Sequence, residues 1–476
     1  MKSNRKIAIK ALGVLLCACV LLAAIVACVS CDGEGSYQTV STKQELLAMR
    51  ENKSYRLTAD VDLGGALWKP LKLKSFDGGG HTISNCLITE TVEAEYDNCI
   101  AFFSRIQHLK NVTFDNITVH GNNLRSAAVA VADIDTLAYG NAATIENVTV
   151  KNSEIVTSSA SDYGPYVGFV VGLNVDTDRC EIRNCRAENS TINCTAASGK
   201  ACVGGIVGYN VSRVEFPVSS CTVSDCTLQF TATKSNVEIN LGGIGGQVEG
   251  PLTKCFATGN KIHAIRNADS EYAMRVGGVV GHCYDEFRDR GVYMTRCASV
   301  NNELICYTYR NYSLGGVVGR CDGETVNCLS DANALGGSIS GYGNSANIGG
   351  LCGVAYGAIR TSVAQGCTIY GPFYSNSPNV HTAGFVGLSE GTISSCAVLN
   401  NDVVDVNCDV FTAFGAITNC WIFGMQTLPS ANQLQVLDNL NRIIDELALD
   451  TGYWQQDAQG RLGLSYIGAE DVTVQN

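Results

Sequence analysis

Hydrolysis of a polysaccharide needs two carboxyl groups facing each other across the sugar, and elimination typically uses an Asp cluster with calcium and an Arg or Lys base. The chain offers three such places: Asp133 and Asp135 in ADIDT, Asp176 and Asp178 in NVDTD, and the run Asp285-Glu286-Phe287-Arg288-Asp289-Arg290. None recurs as a motif, and each reads equally well as a solvated loop. Metal chemistry has thinner support. The histidines are His81, His108, His120, His263, His282 and His381, and none is followed by Glu, so the zinc-peptidase motif HExxH is absent. His282-Cys283 with Asp285 is a lone grouping, and no CxxC pair occurs beyond Cys31. The sequence therefore predicts no catalytic residues, no metal and no cofactor.

Binding chemistry is better represented. Aromatic residues gather just before a recurring glycine-rich phrase: Tyr163 and Tyr166, Tyr272, Tyr307, Tyr309 and Tyr312, Tyr342, then Phe373 and Tyr374. If those loops emerge on one flank, they form a strip on which sugar rings or a partner chain could stack. The competing reading is that the rings shield the core beneath long loops.

The elements that must carry these loops are set by the phrase itself. It runs VGFVVG from Val167, VGGIVG from Val203, LGGIGG from Leu241, VGGVVG from Val276, LGGVVG from Leu314, IGGLCG from Ile348 and TAGFVG from Thr382. Successive starts lie 36, 38, 35, 38, 34 and 34 residues apart, and a fixed period in this range means a solenoid or an array. A second phrase lies inside each period. Cys185, Cys221, Cys255, Cys297, Cys328 and Cys396 mark its origin, with Val112, Val148 and Ser362 in the same slot. A small or apolar residue follows two positions on, Asn, Asp or Gly usually at four, and an aliphatic at seven, as in Ala187, Asn189 and Ile192. Spacing by two is the β signature, and the residue at four marks a tight corner. The glycine phrase supplies a third strand, bent or bulged at its paired glycines.

The predicted fold is all-β: a right-handed parallel β-helix of about ten three-strand turns over residues 55–428. Small inward residues then stack in columns, so the cysteine column reads as packing by small buried hydrophobes. Disulfides stay open for an exported chain, with Cys180–Cys185 or Cys221–Cys226 as local pairs. Each end of such a rod needs a cover. Ser41-Thr42-Lys43-Gln44-Glu45 offers a capping box for a short helix within residues 32–54. Leu434, Leu437, Leu440, Ile443, Ile444 and Leu447 form a helical stripe within residues 429–476, expected over the last turn.

Composition narrows the partners. With 46% apolar and only 16% charged residues the chain can bury a core. Its net charge of −12 argues against nucleic acid. Residues 1–31 have the shape of an export leader: Lys2, Arg5, Lys6 and Lys10, then an uncharged run. Ile25-Val26-Ala27-Cys28 resembles a bacterial lipobox, which makes Cys28 the expected lipid-modified residue, with Cys31 as second choice; an uncleaved membrane span is the alternative. Either route places the rest of the chain outside the cytoplasm, at the cell surface.

The opening VSTKQELLAMRENKSYRLTADVDLGG, with Trp68-Lys69-Pro70 and FDGGGHTISNCLI from Phe76, resembles the start of bacterial surface proteins that carry GLUG motifs. The recurring GGIVG phrases resemble the GLUG repeats themselves, over roughly residues 40 to 425. The resemblance implies a β-helical, adhesin-like surface module of the kind also found in N-terminal parts of IgA-cleaving metallopeptidases, and it transfers no catalytic residue. The expected function is binding or adhesion to a glycan or a host surface protein; a polysaccharide lyase or glycosidase and a purely structural stalk are the alternatives.

Overall fold

One turn of the chain contains two corners made by single residues with positive φ, and these corners explain how it coils. Immediately before the cysteine slot, Asn111, Asn147, Asn184, Ser220, Lys254, Arg296, Asn327, Thr361, Ser395 and Asn419 all have positive φ. Four residues after the slot, Asn116, Asn152, Asn189, Asp225, Gly259, Asn301, Ala332, Gly366, Asn400 and Gly424 do the same. A single left-handed residue turns an extended chain sharply without a loop. Strands between such corners must be short.

A computed structural model describes residues 37–464 except 94–97, 135–141, 161–163, 176–178, 285–292, 340–344, 374–378, 405–407, 414, 425–434, 438, 448 and 450. The chain is a right-handed parallel β-helix of about nine turns, in a unit that begins at Thr39. A representative turn has β1 (Val237–Gly242), β2 (Gly245–Glu249), β3 (Leu252–Thr253), β4 (Phe256–Thr258) and β5 (Lys261–Arg266). Each segment pairs in parallel with its equivalent on neighbouring turns: Asn240 opposite Arg275, Gln247 opposite His282, Ala257 opposite Ser299, Ile262 opposite Leu304. The two strands expected around the corner at position four are β4 and β5. The corner one residue before the cysteine adds β3, and the bend in the glycine phrase divides its strand into β1 and β2.

The glycines of that phrase answer to crowding. None of Gly204, Gly205 and Gly208 has positive φ; instead a Cβ would meet Val207 O at 2.2 Å, Gly243 O at 2.2 Å and Val167 N at 2.4 Å respectively. The first glycine thus faces its own bend, the second the next turn and the third the previous strand. Backbones touch where side chains would normally separate them.

Inside, the cysteines of the repeat slot form one file. The N–H groups of Thr222, Phe256, Ala298 and Leu329 donate to the carbonyls of Cys185, Cys221, Cys255 and Cys297 on the preceding level. Each thiol also reaches the carbonyl two residues earlier, as Cys185 does to Arg183 at 3.3 Å. The eighteen cysteines whose side chains are described are all buried and unbridged, Cys180, Cys185, Cys221 and Cys226 included. A second file, one residue past the position-four corner, is polar over the Asn260, Asn302 and Asn333 levels. Asn260 N–H donates to Asn302 Oδ1 and Asn302 N–H to Asn333 Oδ1, at 2.8 and 2.9 Å, while Asn302 Nδ2 donates to Ala257 O and Ser299 Oγ. These amides satisfy backbone groups that the corner removes from the ladders.

At the N-terminal end, helix α1 (Lys43–Leu47) is held by the expected capping box, Thr42 Oγ1 accepting from Glu45 N and Glu45 Oε2 accepting from Ser41 N and Thr42 N. Leu46 and Met49 enter the core. The C-terminal segment departs from expectation. Its helix α2 is only Ile443–Glu446, preceded by a 3-10 turn at Leu440–Arg442 and followed by an antiparallel pair, β6 (Trp454–Gln456) and β7 (Leu462–Leu464). Gln435–Val436 pairs with Trp421–Ile422 as one more strand on the last turn, and the rest of the segment lies along the β4 flank of several turns. Trp454, Leu462 and Leu464 bury against Ala298, Leu329, Val363 and Ala397. Gln365 Nε2 donates to Leu462 O at 2.7 Å and Arg461 pairs with Asp331 at 2.6 Å. The physical reason is in the outward β4 positions, which change from Arg186 and Thr222 low in the rod to Phe256, Ala298, Leu329, Val363 and Ala397 above. An apolar flank needs a cover as much as an end does.

Candidate binding crevice

Because β1 and β2 fold sharply onto each other at the glycine pair, their outward side chains face one another across a crevice that follows the solenoid axis. On the β1 side the row is Tyr166, Cys202, Asn240, Arg275, Ser313, Asn347 and His381, one residue per turn. On the β2 side it is Leu173, Tyr209, Gln247, His282, Arg320, Val354 and Leu388.

The crevice changes character along its length. Low in the rod it is closed: Tyr166, Leu173 and Cys202 form a small apolar cluster, and the Tyr166 and Tyr209 rings lie 5.4 Å apart. In the middle it is bridged by polar groups. Asn240 Nδ2 donates to Gln247 Oε1 at 3.1 Å, Gln247 Nε2 to Glu249 Oε1 at 2.9 Å, and Tyr209 Oη to the same carboxylate. Arg275 pairs with Glu238, and its pull outweighs burial to hold that carboxyl below its usual range. One level up, His282 Nε2 lies 3.3 Å from Asp322 Oδ2, and Arg320 Nε donates to Asp322 Oδ1 at 2.8 Å. Burial depresses the His282 pKa to about 3, so the ring is neutral. Burial also works against the Asp322 charge, but the adjacent His282 ring and the Arg320 guanidinium outweigh it and keep that carboxyl low.

Above this the row side chains are short, and a cavity of about 450 Å³ opens between Arg275, Ser313 and Asn347 on one wall and Arg320, Val354 and Tyr356 on the other. That size suits a small ligand or the end of a larger one. The Arg320 guanidinium carbon sits 4.7 Å from the centre of the Tyr356 ring. Ala273 and Asn311 form part of the rim.

The aromatic residues singled out from sequence divide. Tyr272, Tyr307 and Tyr309 are exposed, at 52, 49 and 40%. Tyr272 and Tyr309 stand in consecutive loops, where Ala273, the residue after Tyr272, and Asn311, two after Tyr309, reach the crevice rim, and Arg310 ties the two loops together through Asp269 and Glu271. Tyr307 stands outward on the β5 face, between Ile265 and Ser338. Two members leave the strip. Tyr312 is 2% exposed because period-two alternation turns it inward beside Leu314, with its hydroxyl over Gly337. Tyr166 is buried in the closed part of the crevice. Tyr163, Tyr342, Tyr374 and the Phe373 side chain lie outside the described residues, as does Cys28. Tyr356 and Tyr370 are exposed rings that sequence reading missed, since neither precedes a glycine phrase.

The carboxylate groupings do not assemble into a catalytic pair among the described residues. Asp133 is buried and ion-paired with Arg105 at 3.3 Å, while Asp135, Asp176, Asp178 and residues 285–290 lie outside the description. His282 and Cys283 point to opposite faces of one strand, the first into the crevice and the second into the core, so they cannot share an ion.

No protein-family model and no curated protein matches the chain. Among solved structures, the chain is similar to a "putative immunoglobulin A1 protease" from Bacteroides ovatus, at 14% identity over 91% of this chain and 93% of that one, TM-score 0.36. It is also similar to a hyperthermoactive exopolygalacturonase from Thermotoga maritima, at 9% identity over 83% and 94%, TM-score 0.27.

Proposed function

We propose that this chain is a cell-surface binding module of the GLUG-repeat kind, held to the membrane through a lipid on Cys28 and engaging a glycan or a glycosylated host or partner surface. The observation that carries the binding role is the rim of the crevice: Tyr272 and Tyr309, two exposed rings on consecutive, ion-paired loops, stand beside an open polar cavity. Exposed tyrosines offer sugar rings a flat apolar face with a hydroxyl at its edge. A solenoid of fully paired strands is a rigid support for such groups, which lowers the entropy lost on binding.

Glycan-array and mucin binding by the chain from residue 32 tests the role. The expected outcome is binding that falls in the Tyr272→Ala/Tyr309→Ala variant while its unfolding midpoint is kept. New reducing ends or loss of polymer viscosity on incubation would point to turnover and contradict a binding module. Anchoring is tested by labelling with a fatty-acid analogue in the bacterial host: label is expected on the natural chain and lost in Cys28→Ala.

A further inference from the structure

We propose that the open part of the crevice recognises a sugar bearing a carboxylate, a uronate or a sialate, through Arg320, Arg275 and Asn347. The inference rests on the binding role above and names its ligand class.

Three observations carry it. The first is charge: the chain is −12 overall, yet the described lining of this cavity includes two arginines and no carboxylate. Their acidic partners, Glu238 and Asp322, stand outside that lining and leave donors unused. Arg320 spends only Nε on Asp322, so its two terminal nitrogens have no partner among the described residues, and the ring of Tyr356 steadies the guanidinium plane. Arg275 spends Nη1 on Glu238 and Asn240. A planar fork of N–H donors fits a carboxylate edge-on.

The second is an unmet acceptor. Asn347 is 7% exposed, lines the cavity, and its Oδ1 has no hydrogen-bond partner among the described residues. A buried acceptor without a donor is costly. A carboxylate cannot supply that donor, but a hydroxyl on the same ligand can, so the site asks for an acid and an alcohol together. Ser313 in the same row adds a further hydroxyl.

The third excludes capture of a peptide by strand addition. Every β1 and β2 strand around the cavity is paired above and below, from Met274–Gly277 through Val380–Ser389 and from Val280–Cys283 through Cys352–Ala355. No strand edge is open for β-addition. The exposed Tyr356 ring suits the flat face of a sugar.

Calorimetric titration of the full-length protein tests the inference with two acid probes, a hyaluronan tetrasaccharide for uronate and sialyllactose for sialate. The methyl ester of each, together with lactose, serves as the neutral counterpart. One acid probe is expected to bind and to weaken by about tenfold or more on esterification, and by a similar factor in Arg320→Gln. Asn347→Ala is expected to weaken binding less, and Arg320→Lys to fall between Arg320→Gln and the natural residue. Esterification needs no variant, so a misfolded substitution cannot mask the answer. Equal binding of acid and ester, or an acidic peptide bound as tightly as either sugar, overturns the carboxylate-sugar assignment and leaves the surface-binding role standing. Binding of none of these probes, nor of mucin or arrayed glycans, overturns both.

Discussion

At the scale of single residues, two kinds of column hold the rod together, and they differ in what they demand. The cysteine file demands a small, uncharged side chain, and burial is the leading cause that pushes the Cys255 and Cys297 thiols well above their usual range. The asparagine file demands a particular amide. Asn302 both accepts from Asn260 and donates to Ala257 O, so Asn302→Ala leaves buried backbone groups unpaired and is expected to cost about 3 kcal/mol in denaturant unfolding. The cysteine column was legible in sequence because one letter recurs at a fixed offset. The corner one residue before it was not, since Asn, Ser, Lys, Arg and Thr all occupy it; the constraint there falls on the backbone and leaves side-chain identity loose. Thr361 is the extreme case, a β-branched residue at φ +47°. Thr361→Gly is therefore expected to raise stability by about 1 kcal/mol, relief of the corner outweighing the entropy that glycine adds to the unfolded chain.

Elements make the crevice. The bend itself could be read from the paired glycines, but which residues would face each other across it depends on register on both sides of the bend, and no spacing rule supplies that. The mid-crevice cluster also gives the molecule its acid sensitivity. His282 is buried with a pKa near 3 against 6.5 in an exposed chain, and faces Asp322, Arg320, Arg275 and Tyr284. A depressed pKa means the folded state binds fewer protons, so the stability tied to neutral His282 is complete above about pH 6.5 and drains away as pH falls toward 3. Asp322, held low in the fold, adds its own loss below its ordinary 3.8. Urea midpoints measured across this range are expected to fall steeply in the natural chain and to fall less in His282→Gln between pH 6.5 and 4.

On the scale of the whole molecule, the C-terminal segment acts as a lateral clasp. Its apolar stripe was visible in sequence; its place was not, because helical periodicity shows that a face must be covered and says nothing about which surface covers it. The informative signal lay elsewhere, in outward β4 positions that turn apolar from Phe256 upward. Trp454, fully buried against that flank, is the clasp's anchor. Trp454→Ala is expected to cost about 3–5 kcal/mol or to detach the segment, read as new protease cleavage after residue 424 with the lower turns still protected.

Everything above, from the thiol file to the opposed arginines, depends on equivalent residues standing directly above one another at one strand spacing per turn. Spin labels at Thr191 and Thr368, outward residues joined by the pairing series Thr191, Thr227, Lys261, Glu303, Ala334, Thr368, measure that directly by pulsed electron resonance. Five steps of about 4.8 Å predict a single narrow distance near 24 Å between the labelled backbones. A broad distribution, or a distance beyond about 40 Å, would contradict the stacked register and the crevice built on it.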